Sequence, residues 1–224
     1  MSAARPPEGA QHRSAQHEGT PVTAQALQPP TLAHRVDAVV IGTSAGGVEA
    51  LSSLLPALPA GMRAPVFVVL HLPRERRSLL VEIFAPKCAV PVREAQDKEP
   101  IVAGTVYFAP PDYHLLVDAG PQLALSVDDP VHYSRPAIDV LFQSAADLYG
   151  PRLLGLVLTG GNQDGAAGLA AIRRAGGLSG VQDPTDALMP LMPECALAEG
   201  PADFVLPLAQ LAALLATLDV ETAA

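Results

Sequence analysis

The chain has 224 residues, enough for one well-buried domain, and with no Trp and few aromatics its core must be assembled from Val, Leu, Ile and Ala. A formal net charge of −9 without a basic stripe excludes nucleic acid as the main partner, because neutralising phosphates takes clustered Lys and Arg. No run approaches the ~18 apolar residues of a membrane span, and the first residues lack the apolar stretch of a secretory signal, so a cytoplasmic location without membrane insertion is expected.

Residues 1–35 are rich in Pro, Gln, Thr, Ser and His without apolar periodicity, which predicts a disordered N-terminal tail ahead of a single domain over 36–224. From Val36 short apolar runs alternate with helical stretches. VDAVVIG precedes the helical VEALSSLLPAL, PVFVVL precedes a segment containing SLLVEIFAPK, and "RERR" at 74–77 reads as a solvated loop. VPVREA and TVYFAPP are short extended pieces, and LLVD with QLALSV predicts a hairpin. AIDVLFQSAADLYG is helical, RLLGLVLTG is a fully apolar strand, and GAAGLAAIRRAGG is a helix stopped by two glycines. GLSGVQD follows as a short strand, and LAQLAALLATLDV closes the chain as a helix. Apolar strands alternating with helices predict an α/β fold: three layers, a doubly wound and mainly parallel sheet, and a small β-hairpin insertion near 113–127.

In open α/β sheets, ligand sites gather beyond the carboxyl ends of the strands. Ser44 follows the first core strand, His71 the second, in "VVLHLP", and Asp164 follows RLLGLVLTG, in "LTGGNQDGAAG". A hydroxyl, an imidazole and a carboxylate at one sheet edge are the parts of a serine hydrolase: nucleophile, proton carrier and the anion that orients it. Gly42 to Gly46 also fits the G-x-S-x-G pattern of a strand–turn–helix nucleophile elbow. The chain order Ser, His, Asp differs from that of α/β-hydrolases, which place the acid before the His. Each residue has a plainer reading: Ser44 and Asp164 as helix caps, His71 as a hydrogen-bonded strand end. His114 and His132 compete with His71 for the role of base. A phosphate-binding loop is the remaining alternative for GTSAGG, but it lacks the G-x-G-x-x-G spacing and a following Lys. Cys88 and Cys195 have no metal-ligand spacing around them and read as reduced thiols.

From about Val36 to Leu215 the sequence resembles the CheB-type protein-glutamate methylesterases of bacterial chemotaxis. The resemblance rests on eight landmarks in order: "IGTSAGGVEAL", "VFVVLHLP", "VREAQDKEPIVAGTVYFAPPDYHLLV", "RPAIDVLFQSAA", "LGLVLTGGNQDGAAGL", "VQDP", "LMPECAL" and "VLPLAQLAALL". It implies Ser44 as nucleophile, His71 as base and Asp164 as orienting acid. It also implies oxyanion or substrate contacts at Thr43, Ala45, Gly161 and Asn162, and neither metal nor cofactor. The expected reaction is demethylation of glutamate γ-methyl esters on methyl-accepting chemoreceptors, with deamidation of receptor glutamines as a companion activity. The chain departs from the family at Gly161-Asn162, where many members have Met-Gly, and at Glu194, where a basic residue is usual; Ala45 stands where the best-studied branch has Thr, although SAGG occurs in other branches. The receiver domain of the standard members has no counterpart in the short lead-in. That implies activity that is constitutive or governed by a separate regulatory protein. The alternative is a non-catalytic scaffold of a chemosensory system with the same fold.

Overall fold

The computed structural model describes Met1, residues 31–72 and residues 77–220. The expected tail over residues 2–30, and all of RERR except Arg77, lie outside the described residues. The elements in chain order are β1 (Ala38–Thr43), α1 (Gly47–Leu54), β2 (Val66–Leu70), α2 (Leu80–Phe84), β3 (Val92–Glu94) and β4 (Val106–Phe108). They continue with β5 (His114–Asp118), β6 (Gln122–Ser126), α3 (Ile138–Tyr149), β7 (Leu153–Val157) and α4 (Ala166–Arg174). The last four are β8 (Leu178–Gln182), α5 (Leu191–Ala198), β9 (Phe204–Leu206) and α6 (Leu208–Leu215). Of these, α5 and β9 were not expected as elements from the sequence.

Seven strands form one sheet in the order β3-β4-β2-β1-β7-β8-β9, and every neighbouring pair is parallel. The order runs from β1 through β2 and β4 to β3 at one edge, and from β7 through β8 to β9 at the other. The direction of winding therefore reverses between β1 and β7, where this class of sheet opens its ligand crevice. The hairpin β5–β6 is a separate antiparallel pair, as expected near 113–127.

Strand alternation divides the core into two layers. In β1, Val39 and Ile41 join Leu51, Leu54, Phe84, Leu211 and Leu215 on the face covered by α1, α2 and α6. Ala38 and Val40 join Phe67, Phe142, Leu169 and Ile172 on the face covered by α3, α4, α5 and the hairpin. Both faces of β1 are fully buried, which is why its sequence is a continuous apolar run.

The last residues of the expected tail are held on the fold. Leu32 is only 1% exposed and belongs to the core, its N–H donates to Thr217 Oγ1 at 2.9 Å, and the His34 N–H donates to Asp219 at 2.7 Å. Burial of Leu32 and these hydrogen bonds work together against the entropy lost on ordering the segment, and composition shows neither.

Tyr149, at the end of α3, has its hydroxyl pushed up to about 12 by burial, with the charge of Asp37 and then Tyr107 adding to the effect. An unfolded tyrosine ionises near pH ~10. The folded protein thus holds a proton that the unfolded chain has released, and stability falls as pH rises between about 10 and 12. Tyr149→Phe is expected to flatten that fall, read as a smaller drop in the urea midpoint between pH ~9.5 and ~11 than in the unaltered protein.

Candidate active site

Three loops at the carboxyl ends of adjacent strands build the site. The parallel register pairs Gly42 with Val69 and Thr43 with Leu70, so Ser44 and His71 are the next residues on neighbouring strands. The His71 N–H donates to the Thr43 carbonyl at 3.2 Å, which keeps the two strand ends together. On the other side of β1, the Ser44 N–H donates to Thr159 O at 3.0 Å, joining the serine turn to the loop that follows β7. That loop delivers Asp164, whose Oδ2 lies 2.9 Å from His71 Nε2.

Asp164 is fully buried, and its carboxylate also accepts the N–H groups of Ile138 (2.7 Å) and Asp139 (2.9 Å) from the first turn of α3. A buried anion needs this many donors, and a helix N-terminus supplies them together with a favourable dipole. Facing Asp164 through Nε2 leaves the Nδ1 edge of the His71 ring for a proton from the serine. Among the described residues, the Ser44 hydroxyl and the N–H groups of Ala45 and Gly161 have no hydrogen-bond partner. Ser44 is half-buried, whereas Ala45 and Gly161 are exposed.

Neither Ser44 nor Asp164 caps the helix that follows it. The N-cap of α1 is Gly46, at φ 81°, and that of α4 is Gly165, at φ 96°, neither helix having a side-chain cap. Positive φ at both positions suits glycine. Asp164 caps a different helix, α3, which spacing alone could not show.

Thr43 and Asn162, two of the expected substrate contacts, have partners within the fold. Thr43 is fully buried and its hydroxyl donates to Thr159 O at 2.9 Å, so its side chain supports the turn from below. Asn162 Oδ1 accepts the Asp164 N–H at 3.1 Å and shapes the loop. His114 is 1% exposed; its Nδ1 accepts the Ala137 N–H at 3.1 Å, and its Nε2 lies 3.2 Å from Asp129 O. Its place is structural, away from Ser44. His132 pairs with Asp139 instead of the serine. Cys88 and Cys195 are free thiols, and burial pushes the Cys88 thiol up. Glu194 is exposed on α5.

Close packing behind the serine fixes its position. A methyl group at Gly160 would lie 1.8 Å from Met192 Sδ and 3.0 Å from Ser44 Cβ. Gly160→Ala is therefore expected to cost about 1–3 kcal/mol by overpacking. It should lower both Tm and kcat; calorimetry beside steady-state kinetics would show it, and an unchanged kcat would mean that Met192 alone yields.

The family described as CheB methylesterase matches residues 39–215. A putative protein-glutamate methylesterase/protein-glutamine glutaminase of Leptospira interrogans is 42% identical over 183 residues, covering 82% of this chain and 95% of the relative. A protein-glutamate methylesterase/protein-glutamine glutaminase of Symbiobacterium thermophilum is 41% identical over 174 residues, covering 78% of this chain and 48% of that longer relative. The crystal structure of the Thermotoga maritima CheB methylesterase catalytic domain superposes with a TM-score of 0.77 at 33% identity, over 81% of this chain and 97% of that one.

Proposed function

The chain belongs to the CheB methylesterase family, and from that premise we propose that it hydrolyses the γ-methyl esters of glutamyl residues in methyl-accepting chemoreceptors through Ser44, His71 and Asp164. The observation that supports the residue assignment is the 2.9 Å contact between His71 Nε2 and the buried Asp164 carboxylate, with Ser44 and His71 both directly following the paired Thr43 and Leu70. His71 takes the Ser44 proton at Nδ1 as the serine oxygen attacks the ester carbonyl. The buried carboxylate stabilises the imidazolium that results. The free N–H groups of Ala45 and Gly161 receive the oxyanion, and backbone donors there are indifferent to the side-chain departures at both positions. His71 then protonates departing methanol, and a water activated by the same nitrogen releases the glutamate carboxylate and restores the serine. A receptor glutamine passes through the same acyl-enzyme, with ammonia leaving in place of methanol. This serves the deamidation that the names of the relatives describe for those proteins.

The substrate is a protein, and no helix among the described residues is long and apolar enough to cross a membrane. The test is methanol release from methylated receptor membranes and from a small glutamyl methyl ester, together with labelling by a fluorophosphonate. Release from both substrates with the label on Ser44 is the expected result. A label elsewhere, or no release from either substrate, would remove the assignment.

A further inference from the structure

Beside the triad lies a second imidazole–carboxylate pair, His132 and Asp139, that takes no part in the proposed chemistry. Asp139 is 4% exposed, and its Oδ1 accepts the N–H groups of Gly165 at 3.0 Å and Gly168 at 2.6 Å. Its Oδ2 lies 3.3 Å from His132 Nε2. The other nitrogen of that ring, Nδ1, is 3.1 Å from the Gln163 amide nitrogen. Residues 163 and 165, the two neighbours of Asp164, are therefore both tied to the same pair.

The bonding is reciprocal. Asp164 accepts the first N–H groups of α3, the helix that carries Asp139, and Asp139 accepts those opening α4, the helix that follows Asp164. We infer that Asp139, steadied by His132, is a positioning residue that fixes the triad acid against His71. The inference deepens the proposed reaction and rests on that reading of the site.

Three features support it. The Asp164 N–H donates to Asn162 Oδ1 in its own loop, whereas the next N–H, that of Gly165, turns out of the loop to Asp139 Oδ1. Gly168 leaves room for the clamp: a side chain there would lie 3.0 Å from Asp139 Oδ1 and 2.6 Å from Phe142 Cβ. Burial pushes the Asp139 carboxyl above the usual carboxylate range and the nearby Asp164 charge adds to this, while the Gly168 and Gly165 N–H groups and His132 oppose it. Two carboxylates so close together are costly to bury, and the shared helix N-termini and the imidazole offset that cost. Where the Gln163 amide donates to Nδ1, Nε2 carries a proton directed at Asp139.

The experiment compares Asp139→Ala, Asp139→Asn and His132→Ala with the unaltered protein. It measures kcat and KM on a small glutamyl methyl ester, and the low-field proton resonance of the His71–Asp164 hydrogen bond. A shift of the acid by an ångström costs about 10²-fold. Asp139→Ala should accordingly lower kcat by about 30–100-fold with KM within about twofold, and weaken or broaden the resonance. Asp139→Asn keeps a carbonyl oxygen for both glycine N–H groups but sets its NH₂ against His132, so it should lose only about 3–10-fold, as His132→Ala does. His132→Ala should lower kcat by about 3–10-fold. A folded Asp139→Ala protein with unchanged kcat and an intact resonance overturns the inference. If Asp139→Ala does not fold, His132→Ala decides in the same way. If the unaltered protein lacks esterase activity, the proposed reaction fails, and the resonance alone decides the positioning role.

Discussion

Ser44→Ala is expected to lower kcat for methanol release by about 10⁴- to 10⁶-fold while leaving KM nearly unchanged. The side chain lost is small and sits on a half-buried turn whose backbone contacts, to Thr159 O and from the Gly47 N–H, do not involve its hydroxyl. The fold should therefore survive intact, and the loss would report chemistry alone. What remains would come from the Ala45 and Gly161 N–H groups and from binding, which still favour attack by water. Single-turnover kinetics with a chromogenic glutamyl ester would measure it. A fall of less than tenfold would place the nucleophile elsewhere.

Asp164→Asn is expected to be nearly as severe, about 10³- to 10⁴-fold in kcat, for a different reason. The carboxylate has three donors on two oxygens: Ile138 N–H and His71 on Oδ2, Asp139 N–H on Oδ1. An amide has one acceptor oxygen, so its NH₂ must face either the Asp139 N–H or the pair formed by the Ile138 N–H and His71. In the first arrangement two donors meet in a buried place, which destabilises the start of α3. In the second, His71 Nε2 becomes the acceptor and Nδ1 carries the proton, so the ring can no longer take one from Ser44. Both arrangements lower Tm, because each sets the NH₂ against a backbone N–H of α3; the second also reverses the His71 tautomer and gives the full loss of kcat. The kinetics separate them, and an Asn variant with full activity would show that orientation of the imidazole does not depend on this carboxylate.

The layers of the fold were legible because their cause is local. Val39 and Ile41 face one layer and Ala38 and Val40 the other, so the apolar run of β1 announces a strand buried on both faces. The hairpin was legible from two alternating runs around Gly120. The helix α5 was not, because Leu191–Ala198 is apolar nearly all round and carries Pro193, which is tolerated only because it stands in the first turn, where no N–H is required. The strand β9, three residues long, carries too little pattern to be read. In the site, Ser44, His71 and Asp164 were readable as the residues following three strong strands. The roles of Thr43, Asn162 and Asp139 were not, since each is defined by a partner that spacing does not reveal: Thr159 O for Thr43, a local turn for Asn162, and the start of α4 for Asp139. An Asp at the second position of a helix reads as ordinary first-turn charge, and only the crossing of α3 and α4 makes it a clamp.

The sheet order bears on how the polypeptide emerges from the ribosome. β1 is made early, but one of its flanks stays bare until β7 is inserted beside it, and the acid that completes the imidazole pair lies 93 residues after His71. A nascent chain thus displays its serine and histidine long before it owns the third member. Throughout that interval the centre of the sheet is an open β edge with unsatisfied amides, the kind of surface on which chaperones act and aggregation begins. Reactivity arrives late, with the same segment that closes this edge, so a half-synthesised copy is a folding hazard to the cell without yet being a hydrolytic one.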